Sequence, residues 1–248
     1  MNYTETLSNQ IATNNQHFRH QGKSVTGWQL AYKAIQDPVK STNIGEKNMD
    51  KNRYNNILPY DDNQVIIKGY INASWVNGWI ATQWPLEETL TDFWQMIWEH
   101  RVTVIVALNK IERDDQYPYW FEVTNTITKQ DFIIRTLNIT IGNETRTMTH
   151  YQYTAWPDFK CPNVESLLML MDHVNKHEGV KCIHCSAGVG RTGTYLTIDK
   201  CLNAIKNGEK VDVIETIKSL REQRTAMVQT PEQLAFCYHT LLYTLLKD

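Results

Sequence analysis

No stretch of this chain is long and apolar enough to cross a membrane. The longest apolar run, Val102 to Leu108, is seven residues, the length of a buried strand. No charge of one sign dominates either: 25 Lys and Arg stand against 27 Asp and Glu. That balance argues against nucleic acid or an anionic membrane as the main partner. The segment Met1 to Gln10 is polar and lacks the apolar core of a signal peptide, so a cytoplasmic, intracellular protein is expected. Five cysteines, at positions 161, 182, 185, 201 and 237, form an odd set without framework spacing. A disulfide scaffold is thereby excluded, and free thiols in a reducing compartment are expected. The sequons at Asn2, Asn72, Asn138 and Asn143 are then expected to carry no sugar. Repeats, low-complexity tracts and domain boundaries are all missing, so residues 1–248 read as one domain.

What is present is a globular composition, 42% hydrophobic and 10% aromatic, in a chain long enough to bury a full core. Alternation and apolar runs predict strands at Val65–Ser74, Trp79–Thr82, Val102–Leu108, Tyr119–Val123, Phe132–Ile141, Thr145–Tyr153 and Val180–His184. Helical spacing predicts helices over Thr26–Ile35, Leu90–His100, Val164–His177, Thr194–Ile205 and from Asp212 through Leu220. Ser41–Tyr54 reads as a polar loop. Strands dominate the middle and helices the last third, which predicts an α+β fold around one twisted mixed sheet flanked by helices.

The densest local signal is His184-Cys185-Ser186-Ala187-Gly188-Val189-Gly190-Arg191-Thr192-Gly193. It follows a short apolar strand and precedes a helix, so it forms a strand-to-helix turn of small residues. Such a turn wraps an oxyanion with backbone N–H groups, and the helix start adds the positive end of its dipole. Arg191 supplies a planar fork that grips two phosphate oxygens at once. The same field stabilises a thiolate at Cys185. Cys182-Ile183-His184-Cys185 also spells C-x-x-C, the spacing of redox or metal sites. Strand geometry sends residues 182 and 185 to opposite faces, and no second C-x-x-C completes a zinc site.

The ten-residue run resembles the signature of the cysteine-dependent protein tyrosine phosphatases, and the likeness extends from about residue 24 to the end. Trp156-Pro157-Asp158, with its aspartate 27 residues before Cys185, resembles the family's mobile acid loop. Gln229-Thr230-Pro231-Glu232-Gln233 resembles the glutamine loop, although helix capping alone accounts for Thr230 and Pro231. Lys51-Asn52-Arg53-Tyr54 resembles the segment that walls one side of the pocket. Tyr70-Ile71-Asn72-Ala73-Ser74 and Ala81-Thr82-Gln83 are also family-like and read as structural strands.

The resemblance implies a phosphotyrosine-protein hydrolase that works through a phosphocysteine intermediate and needs no metal or organic cofactor. Cys185 would be the nucleophile, and Arg191 with the amides of Ser186, Ala187, Gly188, Val189 and Gly190 the phosphate clamp. Asp158 would be the general acid. Gln229 would orient water, with Gln233 assisting. Thr192 would stabilise the departing sulfur, and His184 would brace the loop. Tyr54 would stack on the substrate ring, and Glu112 would orient Arg191.

Departures from the pattern are informative. Asn56 stands where the family has an aspartate that bonds the substrate backbone, and Trp84 replaces a glycine. Lys160 and Cys161 replace Gly-Val after the acid loop, and segments 75–80 and 113–119 are short. These compact loops are similar to those of the tyrosine phosphatases carried by polydnaviruses, the symbiotic viruses of parasitoid wasps. The changes beside the acid loop keep open the alternative of a phosphotyrosine-binding trap with feeble turnover. A phosphoinositide phosphatase is disfavoured because Ser186 to Gly190 carries no cation, and a dual-specificity enzyme is disfavoured by Tyr54 and the chain length.

Overall fold

The computed structural model of the protein describes residues 2–111, 113, 114, 116–157 and 160–247. The chain opens with helix α1 (Tyr3–Asn14), a hairpin of β1 (His17–His20) and β2 (Lys23–Thr26), and helix α2 (Gly27–Lys33). A short helix α3 (Asn43–Glu46) follows, then a 3-10 turn at Met49–Lys51. Next come β3 (Ala73–Val76), β4 (Trp79–Thr82), α4 (Leu90–Glu99) and β5 (Val102–Ala107). The antiparallel run β6 (Val123–Thr128), β7 (Phe132–Ile141) and β8 (Glu144–Tyr153) leads to α5 (Val164–Asn175). Then follow β9 (Val180–His184), α6 (Gly190–Lys206), α7 (Val213–Arg221) and α8 (Pro231–Lys247).

One seven-stranded mixed sheet runs β3-β4-β9-β5-β8-β7-β6. Its middle four strands, β4, β9, β5 and β8, are mutually parallel, while β3 and the β7–β6 pair run against them. Parallel strands are covered on both faces, and β5 shows it: Val102 and Val104 to Ala107 are buried, in a run rich in β-branched residues. The period of two then sorts side chains between two cores. Ala81, Val104, Val106 and Ile183 enter the core under α5, α6, α7 and α8. Ile80, Ile105, Ala107 and Cys182 enter the core under α4, with its Phe93, Met96 and Ile97. Cys182 and Cys185 thus belong to opposite faces, as strand geometry requires, and all five cysteines are free thiols.

The predicted helices appear within a few residues of their sequence limits, and α2, α5, α7 and α8 are opened by side-chain caps. Asp212 accepts the Glu215 N–H (3.1 Å), and Thr230 accepts the Gln233 N–H (3.1 Å). Helix α6 starts four residues earlier than its apolar pattern suggests, at Gly190, and so contains Arg191.

Two strand expectations are corrected. Val65–Ser74 is not a strand: the chain doubles back at Gly69 (φ +122°), so that the Val65 N–H reaches the Ala73 carbonyl at 3.0 Å. Only Ala73–Val76 joins the sheet. Tyr119–Val123 is irregular until Val123, because Tyr119 turns into the aromatic cluster on α4 and its carbonyl accepts from Trp94 Nε1 (3.1 Å). The expected polar loop at Ser41–Tyr54 contains the two short helical turns. No helix among the described residues is long and apolar enough to cross a membrane.

Candidate active site

The carboxyl ends of the four parallel strands converge on one cleft, the place where open α/β sheets bind ligands. Past the end of β5, Asn109, Arg113 and Gln116 line it, and past the end of β9 Cys185 itself. Cys185 and Arg191 are buried in the floor, 5% and 4% exposed, and both line the cleft.

The shape of the loop after Cys185 follows from where its carbonyls go. The Cys185 carbonyl bonds His184 Nδ1 (3.2 Å) and the Ser186 carbonyl accepts from the Trp84 N–H (2.9 Å). The Ala187 and Gly188 carbonyls both accept from the Arg224 guanidinium (3.1 and 3.0 Å). The Val189 carbonyl accepts from the N–H groups of Gly193 (2.8 Å) and Val228 (3.1 Å). A planar trans peptide places each N–H opposite its carbonyl. Tying five successive carbonyls to the surrounding scaffold therefore turns the N–H groups of Ser186, Ala187, Gly188, Val189 and Gly190 the other way, into a cradle for an anion. Gly188 permits the turn: its φ is +72°, and a Cβ there would lie 2.0 Å from the Thr82 carbonyl oxygen.

Around the sulfur, Thr192 Oγ1 donates to Cys185 Sγ at 3.4 Å. Gln229 and Gln233 lie on the first turn of α6, where a Cβ on Gly190 would come within 2.7 Å of Gln229 Oε1. Gln233 Oε1 accepts the Gln229 N–H (2.8 Å), and Tyr32 OH donates to the Gln229 carbonyl (2.7 Å). Val228, just before it, sits at φ +64°, a costly conformation for a β-branched residue. Arg221 holds it by donating to the Met227 (3.0 Å) and Val228 (2.9 Å) carbonyls. Tyr54 and Asn56 line the opposite wall, and Tyr54 OH bonds Ser186 Oγ (2.9 Å). The structure thus brings together Cys185, Arg191, Thr192, His184, Ser186 to Gly190, Tyr54, Asn56, Gln229 and Gln233. Asp158 and Glu112 lie outside the described residues.

Several contributors carry no signal in the sequence. Arg224 is fully buried and holds two loop carbonyls, with Asn72 Oδ1 (2.7 Å) and Ser74 Oγ (3.1 Å) as its further acceptors. Burial lowers its pKa to about 10. Arg113 Nη1 donates to Tyr54 OH (3.1 Å), and Gln116 Nε2 donates to Ser186 Oγ (3.3 Å). They fill the shortened loop with donors that tie the Tyr54 wall to the cradle. Trp84, the departure from the family glycine, packs its ring edge against His184 at 5.2 Å in the second core, away from the cleft floor. Cys182 and Cys161 do not share the setting of Cys185. Burial pushes the Cys182 thiol far up, and the Cys161 thiol to about 11.

His184 and His150 are fully buried, and burial depresses both, His184 to about 4 and His150 well below the ordinary histidine range. Unfolded, each binds a proton near pH ~6.5. Their contribution to stability is therefore complete above that pH and is lost as pH falls, for His184 towards about 4. Urea denaturation at pH 7, 6 and 5 should show stability dropping by about 1.4 kcal/mol per pH unit for each histidine once below ~6.5. A flat profile across that range would show that the rings charge inside the fold.

Comparison with known proteins agrees with this geometry. The sequence model of the family described as protein-tyrosine phosphatase matches residues 48–243. The chain is similar to receptor-type tyrosine-protein phosphatase S of Gallus gallus, 34% identical across 89% of this chain and 17% of that protein. It is similar also to receptor-type tyrosine-protein phosphatase C of Homo sapiens, 39% identical across 79% of this chain and 18% of that protein. Receptor-type tyrosine-protein phosphatase F of Mus musculus is 33% identical across 89% of this chain and 14% of its own length. The chain spans less than a fifth of the length of each.

Proposed function

The chain belongs to the protein-tyrosine phosphatase family, and we propose that it hydrolyses phosphotyrosine in proteins through a phosphocysteine intermediate. The observation that carries this reading is the cradle: five carbonyls tied outward around a buried cysteine, with Arg191 beside it.

In the first step the Cys185 thiolate attacks phosphorus, and the S–P bond forms as the bond to the tyrosyl oxygen breaks. Asp158 gives that oxygen its proton. The loop amides and the Arg191 fork neutralise charge on the equatorial oxygens. In the second step Gln229 and Gln233 orient a water, Asp158 takes its proton, and the new O–P bond displaces the sulfur. Thr192 hydrogen-bonds the thiolate as it leaves. Nucleophile and acid are side chains, the clamp is backbone N–H groups with Arg191, and the free thiols suit a reducing, intracellular setting.

The Tyr54 wall supports selectivity by reach. Phosphotyrosine places phosphorus a ring's length from its backbone, so it spans a walled cleft to a buried sulfur, and phosphoserine falls short. The test is kcat/KM on matched phosphotyrosine and phosphoserine peptides. A preference of at least 10²-fold for phosphotyrosine is expected, since a misplaced phosphorus loses the alignment on which the rate depends. Comparable values would sink the pocket-depth argument. Tight binding of phosphotyrosine peptide without turnover would instead favour the trap reading, for which Lys160 beside the acid segment is the motivating departure.

A further inference from the structure

Behind the cradle, four hydrogen bonds run in series through the second core. Arg135 Nη1 meets His150 Nδ1 at 3.4 Å, and His150 Nε2 meets the Tyr119 hydroxyl at 2.9 Å. The same hydroxyl meets His184 Nε2 at 2.6 Å, and His184 Nδ1 meets the Cys185 carbonyl at 3.2 Å. Both histidines are fully buried, and Tyr119 is 3% exposed.

The proton positions follow from the two ends. A carbonyl oxygen can only accept, so His184 carries its proton on Nδ1 and offers a bare Nε2. Tyr119 must then donate to that Nε2, which leaves its oxygen to accept from His150 Nε2–H. His150 Nδ1 is bare in turn, and it faces a guanidinium, which can only donate. Working inward from Arg135 gives the same answer. One assignment satisfies every group, with both rings neutral, and a proton added to His184 would leave the Tyr119 O–H facing an N–H. Arg135 is itself held, by Gln152 Oε1 (3.1 Å) and by stacking on the Trp120 ring (4.3 Å).

We propose that His150, two strands away from the nucleophile, is a positioning residue of the active site. Through Tyr119 it holds His184 in the Nδ1–H tautomer, which ties back the Cys185 carbonyl and turns the Ser186 N–H into the cradle. The role rests on the phosphatase reading for its kinetic consequence, but the tautomers do not.

Long-range proton–nitrogen correlation spectra of the full chain carrying ¹⁵N-histidine decide the first part. At pH 7 His184 should appear as the neutral Nδ1–H form and His150 as the neutral Nε2–H form. The opposite tautomer or a charged ring at either position overturns the proposal, whether or not the protein hydrolyses anything. Kinetics decide the second part. His150→Leu should lower kcat/KM on a phosphotyrosine peptide by about 10- to 100-fold, the scale on which losing the hydrogen-bond partner of a metal-bound histidine acts. His150→Gln keeps an N–H near the Nε2 position and should stay close to the wild-type rate. Equal rates for His150→Leu and wild type overturn the proposal, as does a His150→Gln protein as slow as His150→Leu. A wild-type protein with no turnover defeats the phosphatase reading alone, and the spectra still decide the tautomers.

Discussion

Replacing Cys185 by serine is expected to lower kcat by roughly 10⁴-fold or more, the scale on which removing a nucleophile acts. The reason lies in what surrounds the sulfur. Sulfur is the intrinsically stronger nucleophile, whereas a serine hydroxyl needs a neighbouring base to take its proton. Thr192 Oγ1, which donates to the sulfur at 3.4 Å, is no base and cannot serve. His184 cannot serve either, because its two nitrogens are occupied by the Cys185 carbonyl (3.2 Å) and Tyr119 (2.6 Å). Binding should survive the change, since the cradle is built from backbone N–H groups and Arg191. Steady-state rates and calorimetric titration with tungstate, measured on the same Cys185→Ser protein, check both halves. Retention of more than a trace of the wild-type rate would exclude thiolate catalysis.

The cradle was legible in the sequence because its information is local. Ten consecutive residues hold the nucleophile, the clamp and the glycines, and each glycine meets a specific obstacle, such as the Thr82 carbonyl 2.0 Å from a Cβ on Gly188. The groups that aim the loop were not legible. Arg224, Asn72, Tyr119 and His150 come from distant segments and meet it only through the sheet, so no spacing announces them. Arg113 and Gln116 likewise meet Tyr54 and Ser186 only through the fold.

The same limit explains the misread elements. Val65–Ser74 has the apolar content of a strand, but Gly69 folds it back on itself. Helix α1 buries only Leu7 and Ile11, too narrow a stripe to stand out from a polar segment. Strand β6 is exposed along its whole length at the sheet edge, so it shows no alternation of apolar and polar residues. The first is a local reversal, and the other two are decided by where the fold places the element.

Replacing Asp158 by asparagine should lower kcat on a phosphotyrosine peptide by roughly 10²- to 10⁴-fold, the range over which a general acid contributes. The carboxyl belongs to a segment whose flanks are firmly set. Trp156 is buried at 1% exposure, and its Nε1 donates to the Lys160 carbonyl at 2.9 Å. Tyrosine holds its phenolic proton up to about pH 10, so its oxyanion is a poor leaving group and requires that proton as the P–O bond breaks. An activated nitrophenyl ester leaves as a far weaker base and scarcely needs it. The loss caused by Asp158→Asn should therefore be much smaller on the nitrophenyl ester than on the peptide. The pH profile supplies an independent sign. With Asp158 as the acid, kcat falls on the alkaline side as the carboxyl ionises, and that limb should vanish in the asparagine protein, whose amide does not titrate. Lys160 stands where the family pattern has glycine, and its ammonium is no substitute for a carboxylic acid as the donor of that proton. Its replacement by glycine should therefore leave the leaving-group dependence in place. Equal losses on the two esters, with the alkaline limb intact, would assign Asp158 a structural part and require another proton source for the departing tyrosine.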